Sequence, residues 1–161
     1  MEERLDYSKL APKGYRAMLA LDSYVGGCEL EPLLKELVRM RASQINGCTY
    51  CMDMHSKDAL AQGESTHRLF TLSAWRETPF FSEREQAALM WTEEITLVSE
   101  THAREEVYAK VREHFSEEEI VNLTLTIIMI NGWNRICIAF RDVPGSYVSD
   151  KTPVVSEAIM V

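Results

Sequence analysis

Apolar residues recur every three to four positions along most of this chain, and that spacing limits the fold to packed helices. Two of the predicted helices start at a capping box, in which a serine is followed three residues later by a glutamate. These are Ser82 with Glu85 and Ser116 with Glu119. A strand-like pattern is confined to a short stretch at 154–155. The sequence therefore predicts an all-α helical bundle.

Seven helices follow from the apolar spacing and from stop signals such as Asn46-Gly47 and Gly63. We expect them at about residues 12–25, 32–45, 48–62, 65–75, 82–95, 102–115 and 116–140. The chain has 161 residues without a long linker, and it is predicted to form one domain over 1–161. The tail over 142–161 is expected either to wrap over this domain or to fray.

The chain is acidic: 17 lysines and arginines stand against 25 aspartates and glutamates, which gives a net charge of −8. This balance disfavours binding to nucleic-acid phosphates and to anionic membrane surfaces, because both need clustered basic residues. The N-terminus, MEERLDYSKL, has no basic segment followed by an apolar one. The longest apolar run, LTLTIIMI, is shorter than the ~20 residues of a membrane-spanning helix. We therefore expect a cytoplasmic protein with no nucleic-acid or membrane partner.

Four cysteines are present, and two of them lie in the segment CTYCMDMH at 48–55. On a helix, Cys48, Cys51 and His55 are related by three, four and seven positions and so share one face. The helix N-terminus and the histidine both favour a thiolate, which lowers the pKa of a cysteine beside them. This arrangement provides a nucleophilic sulfur and a second sulfur that can trap a sulfenic acid as a disulfide. In the cytoplasm, such a close pair indicates redox chemistry or metal binding.

Two other interpretations of the cysteines stay open from the residues alone. A zinc site would use Cys48, Cys51 and His55, although a structural zinc usually takes four ligands and a second CxxC motif is lacking. Alternatively, the pair is an inert part of the core, as free cysteines often are. Of the two single cysteines, Cys28 is predicted to be structural, and Cys137 is predicted to be buried and inert.

Glu36 lies on the preceding predicted helix, with eleven residues between it and Cys48, and completes the motif E-x11-C-x-x-C-x3-H. With its surroundings, EPLLKELVRMRASQINGCTYCMDMHSKDALAQGE, the motif closely resembles the AhpD-like alkylhydroperoxidase family of the carboxymuconolactone decarboxylase superfamily. The similarity extends over about residues 12–141 and includes FSEREQAALMWTEEIT and FSEEEIVNLTLTIIMINGWNR. The resemblance implies an all-helical domain that forms homo-oligomers, needs no cofactor, and acts as a cysteine-based peroxidase or disulfide reductase.

The resemblance also implies a role for each residue of the motif. Cys51 would attack the substrate and Cys48 would resolve the product. His55 would take the Cys51 proton, and Glu36 would anchor this relay. A carboxylate beside an imidazole holds its tautomer and raises its basicity, as the third member of a catalytic triad does. Superfamily members that decarboxylate a lactone lack the cysteine pair, which argues against that activity here.

Tyr50 stands where the best-studied AhpD-type enzymes carry a second histidine. A phenol titrates near ~10 and is a poor base at neutral pH, but it can donate or pass a hydrogen bond. Thiol–disulfide exchange needs less proton transfer than peroxide reduction, so the replacement favours exchange. Asn134 is the second candidate for the relay or pocket. With Asn131, Trp133 and Arg135 it either borders the redox pocket or a subunit contact, or forms the water-facing side of an amphipathic helix.

The predicted function is that of a cytoplasmic thiol peroxidase or thiol–disulfide oxidoreductase that reduces hydroperoxides. An external dithiol of lipoyl or thioredoxin type would reduce the Cys48–Cys51 pair after each turnover. The alternative is a redox sensor or interaction module, in which the same pair oxidises and changes how helices or subunits pack.

Overall fold

The computed structural model describes residues 2–153, which form nine α-helices, one 3-10 helix and no strand. The α-helices are α1 Tyr7–Leu10, α2 Pro12–Gly27, α3 Pro32–Asn46, α4 Thr49–Ala61, α5 Thr66–Thr71, α6 Glu83–Thr96, α7 Val98–Thr101, α8 Glu105–Arg112 and α9 Glu117–Phe140, and the 3-10 helix is Leu72–Glu77. The all-α prediction is confirmed. The strand-like stretch at 154–155 lies outside the described residues.

All seven predicted helical segments are present, and the differences lie at their ends and within the fourth segment. Helices α1 and α7 are additional single turns. The helix predicted at 65–75 becomes α5 followed by the 3-10 helix, because Ala74 departs from helical geometry with φ −116° and ψ 31°. The helix expected from about 102 begins instead at Glu105, because His102 and Ala103 adopt left-handed backbone conformations with φ 56° and 54°.

Both predicted capping boxes are present. The Glu85 N–H donates to the Ser82 hydroxyl at 3.2 Å, and the Ser82 N–H donates to the Glu85 carboxylate at 2.8 Å. Ser116 and Glu119 make the same two bonds at 3.2 and 2.7 Å. These bonds satisfy amides that have no partner within the first turns of α6 and α9. The start of each helix is therefore set by four consecutive residues.

Helix α3 is the centre of the bundle and packs against α4, α6 and α9. It contributes to all three apolar clusters of the core. The contributing residues are Leu34 and Val38, Leu37 and Met40, and Ala42. Because neighbours surround the helix, even its charged residues Lys35, Glu36 and Arg39 are buried. This burial places the predicted carboxylate of the site inside the domain.

Buried Lys35 determines where α2 ends. Its ammonium group donates to the carbonyls of Val25, Gly26 and Cys28 at 3.2, 2.8 and 3.3 Å. A cation at the carboxyl end of a helix satisfies unpaired carbonyls and interacts favourably with the helix dipole. Helix α2 therefore continues through Gly27, two residues beyond its predicted end.

Among the described residues, α9 is the one helix that is long and apolar enough to cross a membrane by length and composition. Leu123, Ile127 and Ile130 of this helix are fully buried, and it packs against α2, α3 and α6. These apolar positions are therefore part of the bundle core. Val121 and Ile128 remain exposed.

The tail was expected either to wrap over the domain or to fray. Its described part, up to residue 153, crosses α4 and therefore wraps. The backbone N–H of Gly145 donates to the Asp53 carboxylate at 3.0 Å. Further along, the hydroxyls of Tyr147 and Ser149 donate to the buried Asp58 carboxylate at 2.8 and 2.6 Å. These bonds hold the tail against the helix that carries the cysteine motif.

Candidate active site

The cysteine pair lies at the corner between α3 and α4. Gly47 ends α3 in the left-handed conformation, with φ 70°, and Cys48 caps the amino end of α4. Glycine adopts this conformation without the steric cost of a Cβ, so the chain reverses direction within a residue or two. Cys48 and Cys51 form a disulfide with their Cα atoms 5.4 Å apart. The Cys51 N–H also donates to the Cys48 sulfur at 3.4 Å, so the oxidised pair sits on the first turn of the helix.

His55 lies one turn beyond Cys51 and is held by a carboxylate from α3. Its Nδ1 is 2.9 Å from Glu36 Oε2, and the other carboxylate oxygen accepts a hydrogen bond from Arg39 Nη1 at 2.7 Å. When Nδ1–H donates to the carboxylate, Nε2 is the ring nitrogen that can accept a proton. The structure thus brings together the four motif residues that the sequence placed on two helices.

The Glu36 carboxyl is ionised at neutral pH although it is buried. Burial alone raises the pKa of this carboxyl. The hydrogen bond and charge of His55 and the pairing with Arg39 outweigh burial, so the pKa falls below the ordinary value of 4.5. Arg39 also lies 3.8 Å from Asp22. Glu36 and Arg39 therefore each have a partner of opposite sign, which is the condition under which buried charges are tolerated.

A cavity of about 150 Å³ opens beside Cys51 and His55. Its other walls are mainly aromatic or apolar. They include Tyr15, Tyr50, Leu19, Met54, Met129 and Trp133. A water molecule takes roughly 30 Å³ in the liquid, so the space suits a small organic molecule. Apolar walls also exclude water, which strengthens electrostatic interactions within the cavity.

A second cavity, of about 620 Å³, also borders His55. Its lining is charged and includes Asp22, Lys35, Arg39 and Asp58. His55 therefore borders two cavities, the apolar one that it shares with Cys51 and this polar one. The polar cavity offers the imidazole a route for exchanging protons with solvent.

Tyr50 lines the apolar cavity, next to the disulfide. Its pKa is raised, first by burial and then by the nearby Cys137 and Asp142. The phenol is therefore protonated at neutral pH and can donate a hydrogen bond but cannot act as a base. Whether it takes part in a proton relay stays a prediction.

Asn134 is fully buried and lies outside the cavity lining. Its side-chain oxygen accepts from Asn46 at 2.8 Å, and its side-chain nitrogen donates to the Ser43 hydroxyl at 3.0 Å. Asn131 is buried and bonds Asn46 as well, at 3.0 Å. These amides join α9 to α3 and do not face water. Trp133 is the member of this cluster that lines the cavity.

Cys137 is a third sulfur beside the pair. Its Sγ atom and those of Cys48 and Cys51 lie within 4.8 Å of one another. The thiol is buried, as predicted. Burial and the neighbouring Asp142 carboxylate raise its pKa to about 12, so it is protonated at neutral pH.

Two groups among the described residues could hold a metal ion by proximity. They are Cys48, Cys51 and Cys137, and Glu36, His55 and Asp58. In the first group the disulfide removes two thiolate ligands. In the second, Arg39 and the tail hydroxyls already occupy the carboxylates. Neither group offers the four free ligands of a structural zinc site.

Sequence reasoning missed Arg39 and the proximity of Cys137 to the motif. The three-residue spacing between Glu36 and Arg39 was a usable signal, because residues three apart on a helix are neighbours. Cys137 carries no comparable signal, because only the packing of α9 brings it to the start of α4.

The sequence of this chain is similar to a known protein family and to a bacterial protein. The profile of the family described as the carboxymuconolactone decarboxylase family matches residues 12–94. The uncharacterized protein YdfG of Bacillus subtilis (strain 168) is 42% identical to this chain over 139 residues. That similarity covers 86% of this chain and 95% of YdfG.

Solved structures share the fold. A protein of unknown function from Agrobacterium tumefaciens, provisionally described as the antioxidant defence protein AhpD, is 40% identical with a TM-score of 0.88. The similarity covers 91% of this chain and 100% of that one. A peroxidase-related protein from Ralstonia eutropha JMP134, described as an alkylhydroperoxidase AhpD core and as uncharacterized, is 18% identical with a TM-score of 0.77. The similarity covers 86% of this chain and 74% of the Ralstonia protein. At 18% identity it supports a shared fold and nothing more.

Proposed function

Because the chain belongs to the carboxymuconolactone decarboxylase family and resembles its AhpD-like members, we propose that it is a cysteine-dependent peroxidase that reduces hydroperoxides. One observation carries the proposal: the Cys48–Cys51 disulfide adjoins a cavity that also contains His55, whose imidazole is held by the buried Glu36 carboxylate. The provisional description of the Agrobacterium relative as an antioxidant defence protein supports the same activity.

In the proposed reaction, the Cys51 thiolate attacks the terminal oxygen of a hydroperoxide. A sulfur–oxygen bond forms, the oxygen–oxygen bond breaks, and the alkoxide takes a proton and leaves as an alcohol. Cys51 is then a sulfenic acid, and the Cys48 thiol condenses with it to form the disulfide and release water. An external dithiol reduces the disulfide through a mixed disulfide and is itself oxidised, which restores both thiols.

The positions of the two sulfurs favour Cys51 as the attacking group. Cys51 lines the apolar cavity together with His55. Cys48 instead lines a separate groove of about 270 Å³, beside Gly47 and Ile138. A peroxide in the cavity therefore meets Cys51 first, and Cys48 acts on the product.

His55 and Glu36 supply the proton transfers. The Nε2 atom accepts the Cys51 proton, and the resulting imidazolium is stabilised by the ionised carboxylate at Nδ1. The same proton can pass to the leaving alkoxide. Tyr50, with its raised pKa, is suited to donating a hydrogen bond to the peroxide.

We propose the substrate class from the cavity and the reductant class from the disulfide. Mainly apolar and aromatic walls around about 150 Å³ suit a small organic hydroperoxide. The reductant is an external dithiol of lipoyl or thioredoxin type, which reaches the pair from the groove beside Cys48. We propose a cytoplasmic location, because a reducing dithiol pool is available there.

Sustained turnover tests the proposal. The wild-type chain should consume many equivalents of tert-butyl hydroperoxide when dithiothreitol, dihydrolipoamide or reduced thioredoxin is supplied in excess. The double variant Cys48→Ser/Cys51→Ser, measured in parallel, should consume no more than buffer with the same dithiol. Peroxide loss is followed by a ferrous-iron colour assay on timed samples.

The same measurement separates an enzyme from a redox sensor. A sensor would lose peroxide only in stoichiometric amount, one equivalent for each cysteine pair, whatever the excess of dithiol. That outcome, or equal rates for wild type and the double variant, would contradict the proposed peroxidase.

We also propose that the chain acts as a homo-oligomer, through the outer face of α2 and α9. Val121, Leu125 and Ile128 recur at intervals of four and three and so share one face of α9. Val121 and Ile128 are 57% and 49% exposed. Tyr24 of α2 is 54% exposed and bonds α9 through its hydroxyl. Apolar residues grouped on one exposed face are typical of a protein–protein interface.

Replacing Val121 by arginine should shift the chain to a smaller species, because a buried unpaired charge opposes association. Light scattering after size-exclusion chromatography measures the mass of the wild type and the variant. Val148→Arg is the matched control, because Val148 lies on the tail and is 83% exposed. A wild-type chain that is monomeric at every concentration would remove the proposal, and so would an unchanged mass for Val121→Arg.

A further inference from the structure

Three sulfur atoms meet at the start of α4, whereas the motif and the proposed reaction use two. Cys137 comes from α9, and its Sγ lies within 4.8 Å of the sulfurs of both Cys48 and Cys51. It lines the apolar cavity and also the groove beside Cys48. The third thiol therefore stands within reach of either sulfur of the pair.

We propose that Cys137 is a second resolving thiol, which condenses with the Cys51 sulfenic acid when Cys48 is not available as a free thiol. A Cys51–Cys137 sulfur–sulfur bond forms, the sulfenic oxygen leaves as water with the thiol hydrogen, and the same external dithiol reduces the product. The formation of the sulfenic acid rests on the proposed peroxidase activity. Thiol–disulfide exchange between Cys51 and Cys137 does not depend on that activity.

The surroundings of Cys137 explain why it is a reserve and not the first partner. Titratable groups face it from several elements. They are Tyr7 of α1, Tyr15 and Asp22 of α2, Tyr50 and His55 of α4, and Arg141 and Asp142 after α9. The Asp142 carboxylate, which accepts from the Tyr7 hydroxyl at 2.7 Å, lies beside the thiol and disfavours its ionisation. Because the thiolate is the attacking form, Cys137 reacts slowly and leaves the intact Cys48–Cys51 disulfide undisturbed.

This role protects Cys51 from irreversible oxidation. A sulfenic acid that finds no thiol is oxidised further by a second peroxide to sulfinic acid, which ordinary dithiols do not reverse. Cys48 is the nearer partner in the motif, but it is unavailable whenever it carries an adduct of its own. Cys137 would then provide the thiol that condenses with the Cys51 sulfenic acid.

The test uses the Cys28→Ser/Cys48→Ser chain, in which Cys51 and Cys137 are the remaining thiols. Cys28 is removed because it is a partly exposed free thiol that would react separately. The matched control adds Cys137→Ser. In the first arm, the reduced chains are treated with 5,5′-dithiobis(2-nitrobenzoate), which places a mixed disulfide on Cys51 without any peroxide.

Attack of the Cys137 thiolate on the Cys51 sulfur of that mixed disulfide expels thionitrobenzoate as the leaving group. We expect two thionitrobenzoate ions per chain, no residual adduct by mass spectrometry, and a linked Cys51–Cys137 peptide. The control should release one ion and retain its adduct. Two adducts on the first chain, or one that persists beside a free Cys137, would overturn the proposal.

In the second arm, the reduced chains receive excess tert-butyl hydroperoxide. The chain with Cys137 should lose two hydrogens and form the linked peptide, whereas the control should gain two oxygens at Cys51. Equal over-oxidation of both chains would overturn the proposal. If peroxide oxidises neither chain, the proposed peroxidase fails and the first arm still decides the role of Cys137.

Two further measurements keep the test decisive. The rate of the second thionitrobenzoate release should rise roughly tenfold per pH unit as long as the pH lies below the pKa of the Cys137 thiol. The Asp142→Asn substitution should also accelerate this release. A higher pH and the loss of the Asp142 charge both increase the fraction of Cys137 present as thiolate. Cys48→Ala repeats both arms if the serine variant does not fold. The wild-type chain under rising peroxide should also yield the Cys51–Cys137 peptide, and its absence at peroxide levels that over-oxidise Cys51 counts against the role.

Discussion

Replacing Cys51 by serine is expected to slow the reaction with an organic hydroperoxide by at least about a thousandfold. A serine hydroxyl stays protonated at neutral pH, whereas the Cys51 thiol can pass its proton to His55 and attack as an anion. Replacing Cys48 by serine should leave this first step within about threefold of wild type, because Cys48 acts after the oxygen–oxygen bond has broken.

A single-turnover experiment separates the two cysteines. Each chain is reduced, freed of dithiol, and mixed with one equivalent of tert-butyl hydroperoxide, and the loss of peroxide is followed with time. The dithiol is left out because it could reduce a sulfenic acid directly and hide the missing resolving step. Cys28→Ser serves as the control, since it removes a thiol outside the cavity and should react like wild type.

The opposite pattern would reassign the roles. A fast Cys51→Ser chain and a slow Cys48→Ser chain would make Cys48 the attacking sulfur. If both single variants react as fast as wild type, neither sulfur of the motif carries the chemistry.

Replacing Glu36 by glutamine is expected to reduce both stability and activity. The variant leaves the Arg39 guanidinium, whose side chain is 9% exposed, with only Asp22 at 3.8 Å as a counter-ion. Removing one partner of a buried ion pair costs about 3 to 5 kcal/mol. The imidazole of His55 also loses the carboxylate that orients it and stabilises its charged form, so the rate should fall about a hundredfold.

Urea unfolding and single-turnover kinetics measure the two effects separately. The double variant Glu36→Gln/Arg39→Gln is the matched control. It removes both charges, so part of the lost stability should return, while the rate stays low because His55 still lacks its carboxylate. Full activity in Glu36→Gln, alongside lower stability, would show that Glu36 acts only in the fold.

The pH dependence of stability gives an independent check on Glu36. Its pKa is lower in the folded protein than the ordinary value of 4.5 that applies to the unfolded chain. The unfolded state therefore binds the proton more readily, and the ionised carboxylate stabilises the fold above that ordinary value. This contribution is lost as the pH falls through the folded pKa. The stability difference between wild type and Glu36→Gln should be full at about pH 7 and smaller at about pH 3.5.

The helices were predictable because their signals act over a few residues. The capping boxes at Ser82 and Ser116 close bonds between residues three apart, and Gly47 ends α3 through its own backbone freedom. The same short range made the shared face of Cys51 and His55 predictable. At the end of α2 a contact from the next helix was responsible, because Lys35 bonds its last carbonyls.

The candidate site was only partly predictable. The motif spacing and the family resemblance named Glu36, but neither specified that Arg39 would hold its second oxygen inside the bundle. Unlike the Glu36–Arg39 spacing, the apolar cavity, the tail bonded to Asp58 and the burial of Asn134 had no local signal. Each of these depends on which helices pack around α3.

The sequence by itself determined a helical chain, the positions of its caps and a face that presents two sulfurs and an imidazole. The tertiary structure alone decided that Glu36 is buried, that Cys137 joins the two sulfurs, and that a cavity lies beside them. The physical reason is range. Hydrogen bonds and side-chain pairs within a helix are complete within about four residues, whereas the surroundings of a buried charge or thiol are set by helices far apart in the chain.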